Sequence, residues 1–286
     1  MSGAPTVVIL NPNAHHGKSR RAWQSLESAF REALGEYDLR LTERPGHATE
    51  LTRAALDEGV DRIIAVGGDG TLHETVNGYF ENNAAINPAA SIGLIPLGTG
   101  CDYARSIDVP TGHHAINALA NGSTRLVDVA RLNFRDKDGD PQERYIVNAC
   151  HAGLGGKVAA TANASSKVLG GFITFLLAVI TARLTTKALP MRVEVDGNPH
   201  DGLYLDAIIA HGHYDGASIQ IAPRARLDDG ILDLYLIGDF TYLETAMNLR
   251  LLYSGRADEH PKVIYLQGKR ITIEPETPVM VSPDGE

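Results

Sequence analysis

Cysteine is scarce in this chain: Cys101 and Cys150 are the only two in 286 residues, too few for a disulfide framework. A reducing cytoplasm is therefore the expected compartment, and no charged leader with an apolar segment behind it opens the sequence. Long hydrophobic runs are missing too. The longest, Val168 to Leu184, is interrupted by Thr174, Thr181, Arg183 and two glycines and falls short of a transmembrane segment. Positive charge is also short, with 26 Lys and Arg against 35 Asp and Glu and a net charge of −9. That balance excludes nucleic acid as a partner, since phosphate neutralisation needs clustered cations. It also excludes avid general adsorption to anionic lipid, so any membrane contact has to be local and partly apolar. What is present, 43% hydrophobic and 21% charged residues, is the composition of a soluble globular protein long enough for two domains.

The most informative segment is Gly67-Gly68-Asp69-Gly70-Thr71, set between the apolar run Arg62 to Val66 and a helix-like stretch, Leu72 to Phe80. Glycines there let the backbone take positive φ and come close to a ligand, and the following helix points free N–H groups and its positive end into the same space. A phosphate fits such a place. Asp69 is unsuited to touch phosphate directly and better suited to hold Mg²⁺ or polarise an attacking hydroxyl. The competing account is a plain glycine turn in which Asp69 caps the helix.

Short β-branched runs alternate with helical segments through the first part of the chain, the pattern of a parallel sheet covered on both faces. Strands are expected at Thr6–Leu10, Tyr37–Thr42, Arg62–Val66 and Ser91–Ile95, and helices at Ser19–Leu34, His47–Glu58, Leu72–Phe80, Cys101–Ser106 and His114–Asn121. After Asn121-Gly122-Ser123 the texture changes to strands separated by turns, including a continuous strand at Glu143–Cys150. A helix over Lys167–Thr185 and another over Tyr242–Leu252 interrupt them. The expected fold is an α/β domain over residues 1–122 followed by a mainly antiparallel β domain over 123–286.

Ligands of open α/β sheets bind outside the carboxyl ends of the strands. Four loops meet there: Asn11 to Ser19, Thr42 to Ala48, Gly67 to Thr71, and Pro96 to Asp102 with Gly98 and Thr99. None has the spacing of a Walker loop or of the dinucleotide fingerprint, so a kinase with a different nucleotide loop fits better. The pairs His15-His16 and His113-His114 lack Cys or carboxylate partners at ligand spacing and are not read as metal sites. Cys101 has no paired base and reads as a small buried thiol.

Taken in order, these segments resemble the diacylglycerol-kinase-like bacterial lipid kinases, relatives of sphingosine and ceramide kinases and distant relatives of NAD kinase and phosphofructokinase. The matching residues are Asn11-Pro12 to Gly17, Thr42 with Gly46-His47-Ala48, Gly67 to Thr71 with Glu74 and Asn77-Gly78, Pro96 to Gly100 with Asp102, Ala222-Pro223 with Leu227-Asp228-Asp229-Gly230, and Asp284-Gly285-Glu286. The resemblance implies an NAD-kinase/phosphofructokinase-like α/β domain with a C-terminal β-sandwich domain. It implies ATP contacts from Asn11, Thr42, Gly67, Gly68, Gly70, Thr71, Leu72, His73, Glu74, Gly98 and Thr99. It further implies Mg²⁺ at the Asp229 side chain with carbonyls near Leu227 and at Ile231, and catalysis by Glu286 as general base helped by Asp69. The acceptor it implies is diacylglycerol or a related lipid at a membrane surface, with peripheral membrane contact and compatibility with a homodimer. Family members also continue for another strand or two beyond the position of Glu286.

Three departures stand near the expected site: His73 where Asn is usual, Cys101 where Asn precedes Asp102, and His213 to Ala217 in place of a more glycine-rich stretch. The helix around Val168 to Leu184, with Leu169, Phe172, Phe175, Leu176 and Val179 at helical spacing, reads first as core and second as a wall for an acyl chain. A kinase of a soluble acceptor, or an inactive nucleotide- or lipid-binding regulator, stays open as an alternative.

Overall fold

The computed structural model describes residues 6–164, 171–216 and 218–286, and the chain divides into two compact units at Leu126/Val127. The first unit runs β1 (Thr6–Leu10), α1 (Ala14–Gly17), α2 (Ser19–Leu34), β2 (Asp38–Leu41), α3 (His47–Asp57), β3 (Arg62–Gly67), α4 (Asp69–Tyr79), the short β4 (Phe80–Glu81) and β5 (Ala84–Ala85), β6 (Ser91–Pro96), α5 (Asp102–Ser106) and α6 (His113–Asn121). Its sheet is parallel with strand order β2-β1-β3-β6. Strand β1 is buried at all five positions, as a strand covered on both faces must be. On one face α2 buries Trp23, Leu26 and Phe30, one helical stripe, and Trp23, Phe30 and Tyr37 meet edge to face at 4.9–5.8 Å. The other face is covered by α3, through Ala48, Ala55 and Leu56.

Helices α3 and α4 pack backbone to backbone at Gly78, where a Cβ would lie 2.4 Å from the Thr49 carbonyl oxygen. The residue is therefore glycine because of its neighbour.

The second unit runs β7 (Ala130–Arg135), β8 (Pro141–Ile146), β9 (Ala149–Gly153), α7 (Leu154–Ala164), α8 (Gly171–Thr185), β10 (Leu189–Val195), β11 (Asn198–Pro199), β12 (Gly202–Ala210), β13 (Leu232–Gly238), α9 (Tyr242–Tyr253), β14 (Val263–Gly268), β15 (Ile271–Pro275) and β16 (Val281–Pro283). Strands β7 and β8 form a separate hairpin, while the other eight make one antiparallel sheet. Strand β12 is the hub of that sheet. Its first residues pair with β10 and the rest with β9, while its other edge pairs with β13, with an irregularity between Tyr204 and Asp206.

The expected strand Glu143–Cys150 is two strands. It breaks at Val147-Asn148, where the Asp284 carboxylate accepts the N–H groups of Val147, Asn148 and Ala149 at 2.9–3.2 Å and takes the place of a strand partner. Helix α7 was not expected. Lys167, Val168 and Leu169 lie outside the described residues, as do the side chains of Phe172, Phe175 and Leu176. Among the described residues no helix is long and apolar enough to cross a membrane.

Candidate functional site

The loops after β3 and β6 are held against each other by the absence of side chains. A Cβ on Gly98 would stand 2.3 Å from the Gly68 Cα, and one on Gly67 would stand 2.3 Å from Thr71 Oγ1. None of Gly67, Gly68, Gly70 and Gly98 has positive φ. The expectation of left-handed backbone there is corrected: these glycines, wherever a clash is defined, serve close approach. Helix α4 begins at Asp69, three residues before its expected start, because the Gly68 carbonyl already accepts the N–H groups of Thr71 and Leu72. Its N-terminus follows Gly68 and carries no side-chain cap.

Asp69 is not that cap. Its Oδ1 accepts the Tyr103 N–H at 3.1 Å, across the gap to α5, and its Oδ2 faces Gly100, where the Asp102 carboxylate also points. Two carboxylates thus flank one bare glycine at the strand ends. Asp102 is buried and paired with Arg105 at 2.8 Å. The sequence reading named Asp102 within the motif but gave it no role.

Between the two aspartates, Cys101 sits at φ 52°, ψ 45°, left-handed backbone that Asn, usual in the resembling family, adopts more readily. Its Sγ accepts the Gly98 N–H at 3.2 Å, and burial together with the Asp69 charge pushes the thiol up to about 11. A thiol so poised is no nucleophile at neutral pH.

The other ATP candidates fall into two groups. Gly68, Gly70 and Gly98 are half-buried and Thr99 is exposed, on or beside the loop surface, whereas Thr42, Thr71, Leu72 and His73 are buried. Asn11 donates to Thr71 Oγ1 at 3.3 Å and so ties the loop after β1 to α4. Glu74 accepts the N–H groups of Gly46 and Ala48 at 2.8 and 3.0 Å, capping the start of α3 from a neighbouring helix. The His73 ring lies beside the Asn77 amide, whose Nδ2 donates to the His73 carbonyl at 2.9 Å. These residues build the frame that presents the bare loops.

In the second unit, Leu227 to Ile231 form a loop clasped by Asp128. The Asp128 N–H donates to the Leu227 carbonyl and its Oδ2 accepts the Gly230 N–H, both at 2.6 Å. Asp229 Oδ1 accepts the Ile231 N–H at 3.1 Å. Among the described residues no group of three or more His, Cys, Asp or Glu is placed to hold a metal ion. A cation here would therefore be held by at most two such side chains, with carbonyls and water completing its shell. Glu286, one turn beyond β16, is exposed, and its N–H donates to the Pro283 carbonyl.

A cluster that sequence reasoning missed centres on His151. Its Nδ1 lies 2.9 Å from Asp206 and its Nε2 3.0 Å from Asp215, and Gly155 donates a third bond to the same Asp206 oxygen. His151 pairs with Ile208 in the β9–β12 register, which puts Asp206, two residues away, on the same face. Gly155 is required, since a Cβ there would lie 2.0 Å from the His151 ring. The one sequence signal was Asp215, inside the departure at His213 to Ala217, whose Ala217 lies outside the described residues.

Burial alone would pull the imidazole pKa down, but the two carboxylates outweigh it and raise it to about 10 from 6.5. A raised pKa places this stability fully below pH 6.5 and removes it as pH climbs through 10. Between those limits the wild type is expected to lose about 3–5 kcal/mol that a His151→Gln protein never had, the scale of a broken buried ion pair. Melting temperature against pH for both proteins is the check, and parallel curves would remove His151 from the account.

Residues 5–132 match the diacylglycerol kinase catalytic domain, and residues 148–286 match the YegS C-terminal NAD kinase beta sandwich-like domain. The chain is 28% identical over 280 residues to a diacylglycerol kinase of Staphylococcus aureus strain bovine RF122, covering 98% of this chain and 85% of that protein. It superposes on a crystal structure of a diacylglycerol kinase from Bacillus anthracis strain Sterne with a TM-score of 0.67 at 20% identity, covering 99% of this chain and 90% of that one. A yeast NADH kinase complexed with NADH shares the fold at a TM-score of 0.50 and 12% identity, over 100% of this chain and 76% of that one. The α/β domain with a sandwich-like β domain is the fold expected from the sequence.

Proposed function

From a chain that belongs, in both of its domains, to the diacylglycerol-kinase-like lipid kinases, we propose that this protein transfers the γ-phosphoryl group of ATP to a hydroxyl of diacylglycerol or a closely related lipid. One observation supports the nucleotide half most directly. Two loops stripped of side chains meet at the carboxyl ends of β3 and β6, with an uncapped helix start and the Asp69 carboxylate between them. Phosphoryl transfer asks a protein for positioning and charge neutralisation more than for covalent chemistry; backbone N–H groups at a helix start suit the phosphates, and the Asp69 carboxylate beside them suits a cation or the acceptor hydroxyl.

In this proposal Gly68, Gly70, Gly98 and Thr99 contact the phosphates. Asn11, Thr42, Gly67, Thr71, Leu72, His73 and Glu74 hold that surface in shape. Asp69 and Glu286 are the carboxylates offered to the acceptor hydroxyl, whose proton must be taken as the phosphoryl group arrives.

Magnesium belongs to the proposal as a structural ion of the second unit. Asp229, the Leu227 carbonyl and the Ile231 carbonyl are hard oxygen donors, the donor class that suits Mg²⁺ with several waters retained. Bound there, the ion would supply local charge neutralisation and order to the loop that Asp128 clasps.

Phosphate transfer from radiolabelled ATP to a lipid panel, with NAD and soluble alcohols alongside, tests the activity. Lipid turnover is expected, lost without Mg²⁺. Preference for a soluble acceptor, or nucleotide binding without turnover, would overturn the assignment. In the same samples millimolar Mg²⁺ is expected to raise the melting temperature of the wild type, because a ligand bound only to the native state stabilises it. An equal rise in Asp229→Ala would exclude that residue as a ligand.

A further inference from the structure

Three ionisable side chains of the second unit meet over one face of its sheet. His151 on β9 lies across the ladder from Ile208 on β12 and from Ser282 on β16, and Asp206 is two residues along β12 from Ile208. Asp215 reaches them from the loop after β12, where its backbone exchanges hydrogen bonds with Ile219 at 3.0 and 3.2 Å. Each imidazole nitrogen has a carboxylate oxygen within 3.0 Å, so both carry a proton and the ring is an imidazolium. Its two donors are thereby spent. Two carboxylates against one cation leave the cluster one negative charge in excess.

The capacity left unspent is mostly that of acceptors. Asp206 is 4% exposed, and its Oδ1 has no partner among the described residues. Ser282, 2% exposed and on the His151 face, has an unpartnered Oγ. Buried polar atoms of this kind cost free energy until a partner reaches them. No side chain of the following turn covers the Asp206 carboxylate: a Cβ on Gly153 would lie 3.2 Å from Oδ1, and one on Gly155 2.7 Å from Oδ2. Asp215 is the outward member, its side chain 19% exposed. His151 holds one of its oxygens, and among the described residues no group bonds the other. The cluster and the turn that carries Glu286 are tied to one residue. Asn148 donates its N–H to Asp284, two residues before Glu286, and its side-chain amide donates to the Tyr214 carbonyl, beside Asp215. An acceptor presented to Glu286 therefore has the Asp215 loop next to it.

We propose that Asp215, steadied by His151 and Asp206, selects lipid acceptors that carry a second hydrogen-bond donor, hydroxyl or ammonium, on the carbon next to the reacting hydroxyl. The open oxygen of Asp215 accepts that donor, and the excess negative charge of the cluster favours the ammonium. Diacylglycerol, whose neighbouring oxygens are esterified, has no such donor to give. The selection rests on the lipid-kinase reading with Glu286 at the acceptor hydroxyl, and it narrows that reading to one class of substrate.

Three short-chain alkyl glycerol ethers, alike except for a hydroxyl, an ammonium or a hydrogen on the central carbon, separate the contributions, with diacylglycerol alongside. Phosphorylation and, without ATP, equilibrium binding are measured for wild type and Asp215→Asn, with melting curves for both. Wild-type kcat/KM is expected to be about tenfold higher for the hydroxyl ether than for the deoxy ether, and higher again for the amino ether, the scale of a hydrogen bond to a charged group. In Asp215→Asn an amide oxygen still accepts but the charge is gone, so the amino preference should fall about tenfold and the hydroxyl preference less. Both changes are expected in KM more than in kcat, because the donor is held alike before and during transfer. Should Asp215→Asn fail to fold, Asp215→Glu keeps the charge, displaces it, and should lower the same preferences.

Equal use of the three ethers by wild type, or diacylglycerol ahead of the donor-bearing ethers, overturns the selection and leaves the lipid kinase standing. A folded variant with wild-type preferences overturns it too, and so does one in which all three ethers suffer alike, since that is the mark of a structural role. In a protein that phosphorylates no lipid, binding decides: an affinity order of amino, hydroxyl and deoxy ether that Asp215→Asn flattens would uphold the subsite and overturn the activity alone.

Discussion

Asp69→Asn is expected to melt with the wild type and to turn over at least about 10²-fold more slowly, the lower range for loss of a positioned acid–base group. Structure and charge separate cleanly at this residue. Structurally, Asp69 Oδ1 accepts the Tyr103 N–H at 3.1 Å, and an Asn amide oxygen can accept the same bond. Electrostatically, the substitution removes one of the two carboxylates that flank Gly100. In phosphoryl transfer such a charge is worth most when the hydroxyl proton leaves, so kcat should fall far more than the KM for ATP rises. Wild-type kcat in a well-folded Asp69→Asn protein would exclude the residue from the chemistry. Loss of kcat together with a lowered melting temperature would reassign it to holding α5.

The largest effect on stability is expected at Asp284. Its buried carboxylate accepts three backbone N–H groups, from Val147 at 3.2 Å, Asn148 at 2.9 Å and Ala149 at 3.1 Å, and its own N–H donates to the Ala149 carbonyl at 2.7 Å. This one side chain lets β8 end and β9 begin without leaving the backbone between them unsatisfied. Asp284→Ala removes the acceptor and leaves three buried donors. At about 1–3 kcal/mol for each orphaned group, partly relieved by entering water, the loss should reach about 3–6 kcal/mol. That is a large share of the whole stability of an ordinary domain. Asp284→Asn returns one oxygen and should recover part of the loss. Denaturant unfolding measures both, and an alanine variant as stable as wild type would show that the break at Val147-Asn148 is held some other way. If Glu286, two residues later in the same turn, has the role proposed for it, lipid turnover should also fall with Asp284→Ala at temperatures where the protein stays folded.

The elements most legible in the sequence were those set by local pattern. Strand β1 and helix α2 lie where the apolar runs and the Trp23, Leu26, Phe30 stripe put them, because burial on both faces of a strand or on one stripe of a helix leaves a periodic trace. Misreadings occurred where a partner distant in sequence intervenes. Residues 143–150 read as one strand because alternation does not register a carboxylate arriving from Asp284, and α4 started later in the reading because Gly-Asp-Gly-Thr looks like a loop until it meets the Gly98 backbone. His151 and Asp206 carried no motif, since their spacing is a product of the β9–β12 register, and Asp215 was visible only as part of the departure at His213 to Ala217.

By itself the sequence determined the class of protein: an α/β domain with glycine loops at its strand ends, a β domain following it in the chain, and the ordered motif set of a lipid kinase family. Residue type and short spacing are enough for that, because helices, strands and turns answer to neighbours within a few positions. Only the tertiary structure decided what individual residues in those motifs do. It made Gly67 and Gly98 a matter of space rather than of φ, turned Glu74 toward the start of α3, set Asp102 beside Asp69, and left Leu177, Ile180 and Leu184 of α8 exposed. Each of these depends on which atoms from distant parts of the chain come within a few ångströms, and no local pattern encodes that distance.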